Sequence, residues 1–194
     1  MPLPRFTRLP TAEQRRILDV AQRAFAADGI EAASYNQIIA AAGISKSSAY
    51  NYFDGRDDLL RAVLDGVAAR LTEALGPWTK VATPAEFWQQ IKAAEFRLRA
   101  HIDTRPEDLA LIDPAFLLGA QSTFVAWIRD LVDNGAEIGL VTVECDRDLL
   151  VQATAAVIRA GDAWAAAALR EGRDLDPDQP WNLIRNLWGV PPRP

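Results

Sequence analysis

Apolar side chains recur at every third or fourth position through most of this chain, the spacing that places them on one face of an α-helix. Ile17, Ala21, Ala24 and Phe25 form the first such stripe. It follows Thr11, which with Gln14 reads as a capping box, and it stops at Gly29, where a residue without Cβ takes a left-handed turn easily. A second helix is predicted from Ser34, with Gln37 three residues on, to the break at Gly43. Ser45 caps a short third helix, Lys46 to Phe53, closed by Asp54-Gly55. Asp54 opens a fourth. Its first-turn acids, Asp57 and Asp58, complement the helix dipole, and Leu59, Leu60, Val63, Leu64, Val67 and Leu71 run along it before Gly76-Pro77.

Beyond residue 77 the helices lengthen. Thr83-Pro84-Ala85-Glu86 sets a cap, an N1 proline and a capping acid in register, starting a helix to Ile102. A short helix from Pro106 to Ile112 and a long one from Pro114 to about Val132 follow, with a loop from Asn134-Gly135 to Gly139. Asp146 opens a helix to Arg170, and a last one carries Trp181, Leu183, Ile184, Leu187 and Trp188. Only Leu140-Val141-Thr142-Val143 carries a strand signal. The predicted fold is all-α: residues 1–56 an arm and a three-helix helix-turn-helix domain, 57–190 a larger helical domain, 191–194 a disordered tail.

The chemistry concentrates in the helix after the Ala42-Gly43-Ile44 turn. Glycine there lets the chain reverse within three or four residues. Lys46, Ser47, Ser48, Asn51 and Tyr52 supply a cation and small donors near the helix start, then an amide and a phenol. That set suits a helix entering the DNA major groove N-terminus first. Lys46 can reach guanine acceptors or a phosphate, and Asn51 can read adenine. The helix starts at Ser34 and Ser45 present backbone N–H groups that favour phosphate.

The stretch from Ile17 to Val63, with Gly29, Ser34, Ile38, Ala41-Ala42-Gly43-Ile44-Ser45, Tyr50, Tyr52-Phe53, Arg56 and Leu59-Leu60, resembles the DNA-binding domain of TetR-family transcriptional repressors. The resemblance covers about a quarter of the chain. It implies phosphate contacts at Tyr50, Tyr52 and Arg56 and base contacts from the short helix. The DNA-contact set is therefore Ser34, Ser45, Lys46, Ser47, Ser48, Tyr50, Asn51, Tyr52 and Arg56. It further implies a homodimer through the last two helices on a near-palindromic operator, with a small molecule releasing the repressor. Three positions depart from the family pattern: Ala49 replaces a larger aliphatic residue, Arg56 a commoner lysine, and Ser47 a frequent glycine.

Composition narrows the picture. The 194 residues are 49% hydrophobic and 24% charged, as in ordinary globular domains. Cys145 and His101 are the single cysteine and histidine, so neither an internal disulfide nor a Cys/His zinc set can form. His101 reads as a surface residue, and Glu95 and Arg99 as a surface i,i+4 pair. No apolar run approaches the ~18 residues of a membrane span, and the N-terminus lacks a secretion-type apolar core, so the expected location is cytoplasmic. Net charge is −5, yet residues 1–65 hold eight basic and eight acidic side chains. DNA binding then requires segregation, with Arg5, Arg8, Arg15, Arg16, Lys46 and Arg56 on one side and Asp19, Asp28 and Asp65 elsewhere. The arm Pro4–Arg8 either lies along DNA or is a disordered tail.

In the second half, Phe87, Ile91, Ala94 and Leu98 make one apolar stripe and Leu117, Phe124, Ile128 and Leu131 another, interrupted by Gln121. A buried amide needs partners, which marks Gln121 as able to orient a ligand or to bond a neighbouring helix. With Trp88, Ile91, Phe96, Leu117, Phe124, Trp127 and Trp164 it makes the candidate set for an apolar or aromatic effector. No metal or cofactor is implied. Without a nucleophile–base pair, metal set or phosphate loop, an enzyme is not expected. The alternative is a DNA-binding protein of this fold without an effector, controlled by a protein partner. Small residues from Ala153 to Ala168 suit close helix–helix approach.

Overall fold

The computed structural model describes residues 2–111, 121–176 and 178–190. Ile112, Pro114, Leu117 and the tail 191–194 lie outside the described residues. Among those described, helices are α1 (Pro4–Thr7), α2 (Thr11–Asp28), α3 (Tyr35–Ala41), α4 (Lys46–Tyr52), α5 (Arg56–Leu75), α6 (Pro84–Thr104), α7 (Pro106–Leu109), α8 (Gln121–Glu137), α9 (Arg147–Arg170) and α10 (Gln179–Leu187), with no strand. Leu140 to Val143 is irregular: the Thr142 N–H donates to the Trp188 carbonyl at 2.9 Å, a helix-end acceptor rather than a neighbouring strand. Two compact units result, residues 1–71 with 101–120, and 72–100 with 121–194. Two of the three divisions fall inside helices, α5 and α6.

In the first unit, Ile17, Ala21 and Phe25 of α2 are buried with Ile38, Ala49, Phe53, Leu59, Val63 and Leu64. A polar knot also lies inside. Asp108 is fully buried and accepts hydrogen bonds from Arg70 Nη2 at 2.7 Å and Nε at 3.1 Å, and from Gln22 Nε2. Its Oδ2 lies 2.7 Å from His101 Nε2. Arg70 Nη2 also donates to Gln22 Oε1 at 2.8 Å, and Arg105 bridges to Asp19 at 3.0 Å. Burial alone would push the Asp108 carboxyl up, but hydrogen bonds from Arg70, His101 and Gln22 hold it below its ordinary value. His101 is therefore not the surface residue that its position on a polar helix end implied.

Several helix ends follow the sequence. Ser45 Oγ accepts from the Ser48 N–H at 3.1 Å, and Asp146 Oδ1 from the Leu149 N–H at 2.9 Å. Thr83 and Glu86 form a reciprocal capping box. Others differ. Thr11 lies inside α2, and Pro10 takes the cap position. Ser34 precedes α3 without a side-chain capping bond. The Asp54 N–H donates to Asp58, so it is Asp58 that reaches back over the start of α5. Pro4 to Thr7 is a helix rather than a disordered tail, because Phe6 is buried beside Phe53 and Tyr52, with centroids 4.6 and 6.1 Å away.

In the second unit, Asn134-Gly135 lies within α8 instead of opening a loop. The Asn134 side chain accepts from Trp78 Nε1 and the Val81 N–H and donates to the Val81 carbonyl, so its polar atoms are satisfied without leaving the helix. The aromatic core joins Trp78, Phe87, Trp127 and Trp188. Trp188 Nε1 donates to buried Thr154 at 3.0 Å and Trp127 Nε1 to the Gly76 carbonyl at 3.0 Å. Glycine at 161 lets α9 and α10 approach: a Cβ there would sit 2.8 Å from Pro180 Cβ.

Three outcomes are expected. Replacing Asp108 by Ala strands Arg70 and His101 in a site built for an anion, lowering stability in urea unfolding by roughly 3 kcal/mol. Because the folded carboxyl titrates below its unfolded value of about 3.9, its contribution is fully present above that pH and lost as pH falls through the folded value; the unfolding midpoint of the wild type should drop there more than that of Asp108→Ala. Gly161→Ala should cost about 1–3 kcal/mol by forcing α10 from α9, read by thermal unfolding.

Candidate nucleic-acid interface

The turn between α3 and α4 is fixed before any ligand arrives. Gly43 has φ +65°, the region that disfavours a side chain, and the Ile44 N–H donates to the Ile39 carbonyl at 3.1 Å. Arg16 Nη1 donates to the Ala42 carbonyl from α2, clamping the reversal. The Ser45 hydroxyl then caps α4 and also contacts the hydroxyls of Ser47 and Ser48.

Ala49 and Phe53 face the core, while Lys46, Ser47, Tyr50 and Asn51 form the exposed side of α4. Tyr50 is 62% exposed, an unusual setting for a large ring unless something covers it. Lys46 has no acidic partner among the described residues. Asn51 Nδ2 donates to the Ser47 carbonyl at 2.8 Å, which fixes the amide and leaves its oxygen outward. Ser48 and Tyr52 are half-buried on the flank towards α1, and Ser34 is half-buried at the start of α3.

Arg56 behaves differently from Lys46. Its Nε donates to the Ala33 carbonyl at 3.0 Å, its guanidinium lies 5.6 Å from the Phe25 ring centre, and Nη1 meets Asp57 at 3.3 Å. Nη2 is buried without a hydrogen-bond partner. Much of this side chain holds the loop before α3 against α2. Arg16 is similarly spent on the turn, with Glu13 at 3.9 Å.

Tyr35 was not singled out by the sequence, yet its ring packs 6.1 Å from Tyr50. Its hydroxyl is buried and unpartnered, and burial first, then the charges of Tyr50 and Asp58, raise its pKa. An aromatic at the first position of a polar helix start was the available signal. Tyr35 orients Tyr50 by buttressing one side of its ring.

The residues considered for an effector are scattered. Ile91 and Phe124 are buried, Trp127 is tied to Gly76, and Trp164 is half-buried. Phe96 is 74% exposed and lines no interior. Leu117 and the Gln121 side chain lie outside the described residues. Trp88 and Ile91 do meet in a groove of about 480 Å3 between α6 and α10, with Lys92, Glu95, Trp181 and Asn182. There Arg185 stacks 3.7 Å over Trp88, and Trp181 Nε1 donates to Glu95, whose carboxyl is raised chiefly by burial. Among the described residues no cluster of His, Cys, Asp and Glu could hold a metal ion, and no helix is long and apolar enough to cross a membrane.

Residues 17–63 match the family model of bacterial regulatory proteins of the tetR family. No curated protein matches the sequence significantly. Solved structures share the fold. A tetR family transcription regulator from Shewanella sp. PV-4 is 15% identical with a TM-score of 0.63, covering 92% of this chain and 97% of that chain. A TetR-like transcriptional regulator from Rhodococcus sp. RHA1 is 22% identical with a TM-score of 0.61, covering 94% and 97%. The fatty acid degradation regulator FadR from Bacillus halodurans is 16% identical with a TM-score of 0.63, covering 90% and 97%. The TetR resemblance read from Ile17 to Val63 and the all-α fold expected with it are borne out.

The two cations should separate by thermal unfolding. Arg56→Ala loses a hydrogen bond and a ring contact and should cost about 1–2 kcal/mol, whereas Lys46→Ala should stay within about 0.5 kcal/mol of wild type.

Proposed function

We propose that this chain is a homodimeric, sequence-specific DNA-binding regulator of transcription, a repressor that a small molecule releases from its operator. The observation that carries the reading is the solvent side of α4. Lys46, Ser47, Tyr50 and Asn51 stand together on a short helix whose other side is core, within the segment that matches the tetR family model. Placed in a major groove, Lys46 and Asn51 reach base edges, while Tyr50 meets a phosphate that positions the protein without reading sequence.

Dimerisation is supported by α9 and α10. Leu149, Ala153, Ala156, Ala160 and Ala163 recur at spacings of three and four along α9, and Leu149 and Leu183 are large apolar side chains exposed by 62% and 60%. A second copy would cover them. Two-fold symmetry then sets two α4 helices on half-sites ~34 Å apart. An effector in the second unit would need to supply only ~1–3 kcal/mol of coupling to weaken DNA binding 5- to 150-fold. The groove at Trp88 and Ile91 is its best-placed site, and α5, which contributes residues to both units, is the route for coupling.

One observation favours a regulator without an effector. The indole N–H groups of Trp78, Trp127, Trp181 and Trp188 all have internal acceptors, so much of the aromatic content is packing rather than a ligand box. A small-molecule screen reading release from DNA separates the two.

Selection of bound duplexes from a random pool should recover a palindromic consensus. Tyr50→Ala should weaken binding to every sequence alike. Failure of the folded protein to enrich any sequence at low salt would end the DNA-binding reading. Aspartates at Ala156 and Ala163 should give monomers by light scattering, and an intact dimer would place the interface elsewhere.

A further inference from the structure

We infer that α1 is a second DNA-contacting element, in which Arg5 and Arg8 close with Ser48 and Tyr52 of α4 around one backbone phosphate. This rests on the proposed placing of α4 in the major groove. These four side chains line a single open cleft of about 290 Å3 on the first unit, with Leu9 and Asn51 at its wall.

The cleft is built, not incidental. The Leu3 N–H donates to the Tyr52 carbonyl at 2.8 Å, and Phe6, 2% exposed, wedges against Phe53 and Tyr52. Gln14 Nε2 holds the other end of α1 through the Leu9 carbonyl at 2.8 Å and the Thr7 carbonyl at 3.3 Å. Ordering this segment places Arg5 and Arg8, three residues apart, beside each other. Both are exposed, and neither has an acidic partner among the described residues. Like charges set side by side repel until an anion arrives.

The lining also selects the class of anion. The donors are two guanidinium forks, a serine hydroxyl and a phenol, and no carboxylate lines the cleft. Guanidinium forks match phosphate geometry in two-bond contacts. The Ser45 hydroxyl donates to Ser48 Oγ, which leaves the Ser48 proton to point outward. A four-residue helix is too short to read a groove, so the contact is to the backbone beside the groove that α4 occupies. Domain neutrality is thereby compatible with DNA affinity, because the positive charge is concentrated around α4.

The test is equilibrium binding of the full chain to duplex from the random-pool selection, across salt concentrations. Arg5→Ala/Arg8→Ala keeps Phe6, so α1 stays docked; circular dichroism and unfolding should match wild type. One phosphate per subunit, two per dimer, lowers the slope of log K against log salt by about 1.8, with affinity down about tenfold or more at low salt and the preferred sequence unchanged. Arg5→Lys/Arg8→Lys should restore most of the slope. The charge-matched control, Arg23→Ala/Arg173→Ala, should leave the slope near wild type. Wild-type affinity and slope in the double alanine variant, or an equal loss in the control, overturns the clamp while leaving α4 as the reading helix. A wild type that binds no duplex overturns both.

Discussion

A carboxylate cut off from water must have its charge met by the protein, and Asp108 meets it with side chains from three helices. Gln22 comes from α2, Arg70 from α5 and His101 from α6, while Asp108 itself sits on α7. Apolar packing of the first unit is non-directional and would tolerate small rotations of these helices. The knot does not, because each partner has one geometry in which its bonds are made. It fixes α2, and α2 in turn carries Arg16, whose guanidinium holds the turn that aims α4. The orientation of α4 is thus tied, through two short links, to a charge that never meets solvent.

The arginines show how a neutral domain can offer a positive surface. Arg16 and Arg56 bond backbone carbonyls, and Glu13 and Asp57 lie against them. Asp58 is turned back onto the Asp54 N–H, and Asp19 pairs with Arg105. Several acids are therefore occupied within the framework. Arg5, Arg8 and Lys46 remain around α4. Net charge alone would have argued against nucleic acid; its distribution does not.

What the sequence revealed was local. Helix existence, the caps at Ser45, Thr83 and Asp146, and the solvent side of α4 depend on residues within one or two turns, and these were legible. Apart from the caps expected at Thr11, Ser34 and Asp54, the failures are tertiary. Phe6 turns an apparent tail into a helix because Phe53 lies beside it in space. Asn134-Gly135 reads as a turn until Trp78 and Val81, more than fifty residues earlier, satisfy the amide. His101 looks like a helix-end surface residue because nothing local announces Asp108. Within the site, Arg56 and Lys46 are indistinguishable as cations in a motif, and only the Ala33 carbonyl and Phe25 ring separate them. Tyr35 escaped notice because its partner, Tyr50, lies across the turn.

The aromatic residues are sorted between the units more completely than packing requires. All three tyrosines, Tyr35, Tyr50 and Tyr52, belong to the first unit, and all six tryptophans to the second. Indole and phenol absorb at different wavelengths, so each unit has its own chromophore without any label. Light taken up by indole alone interrogates the second unit and is blind to events at α4, whereas the tyrosine emission arises beside the cleft and the turn.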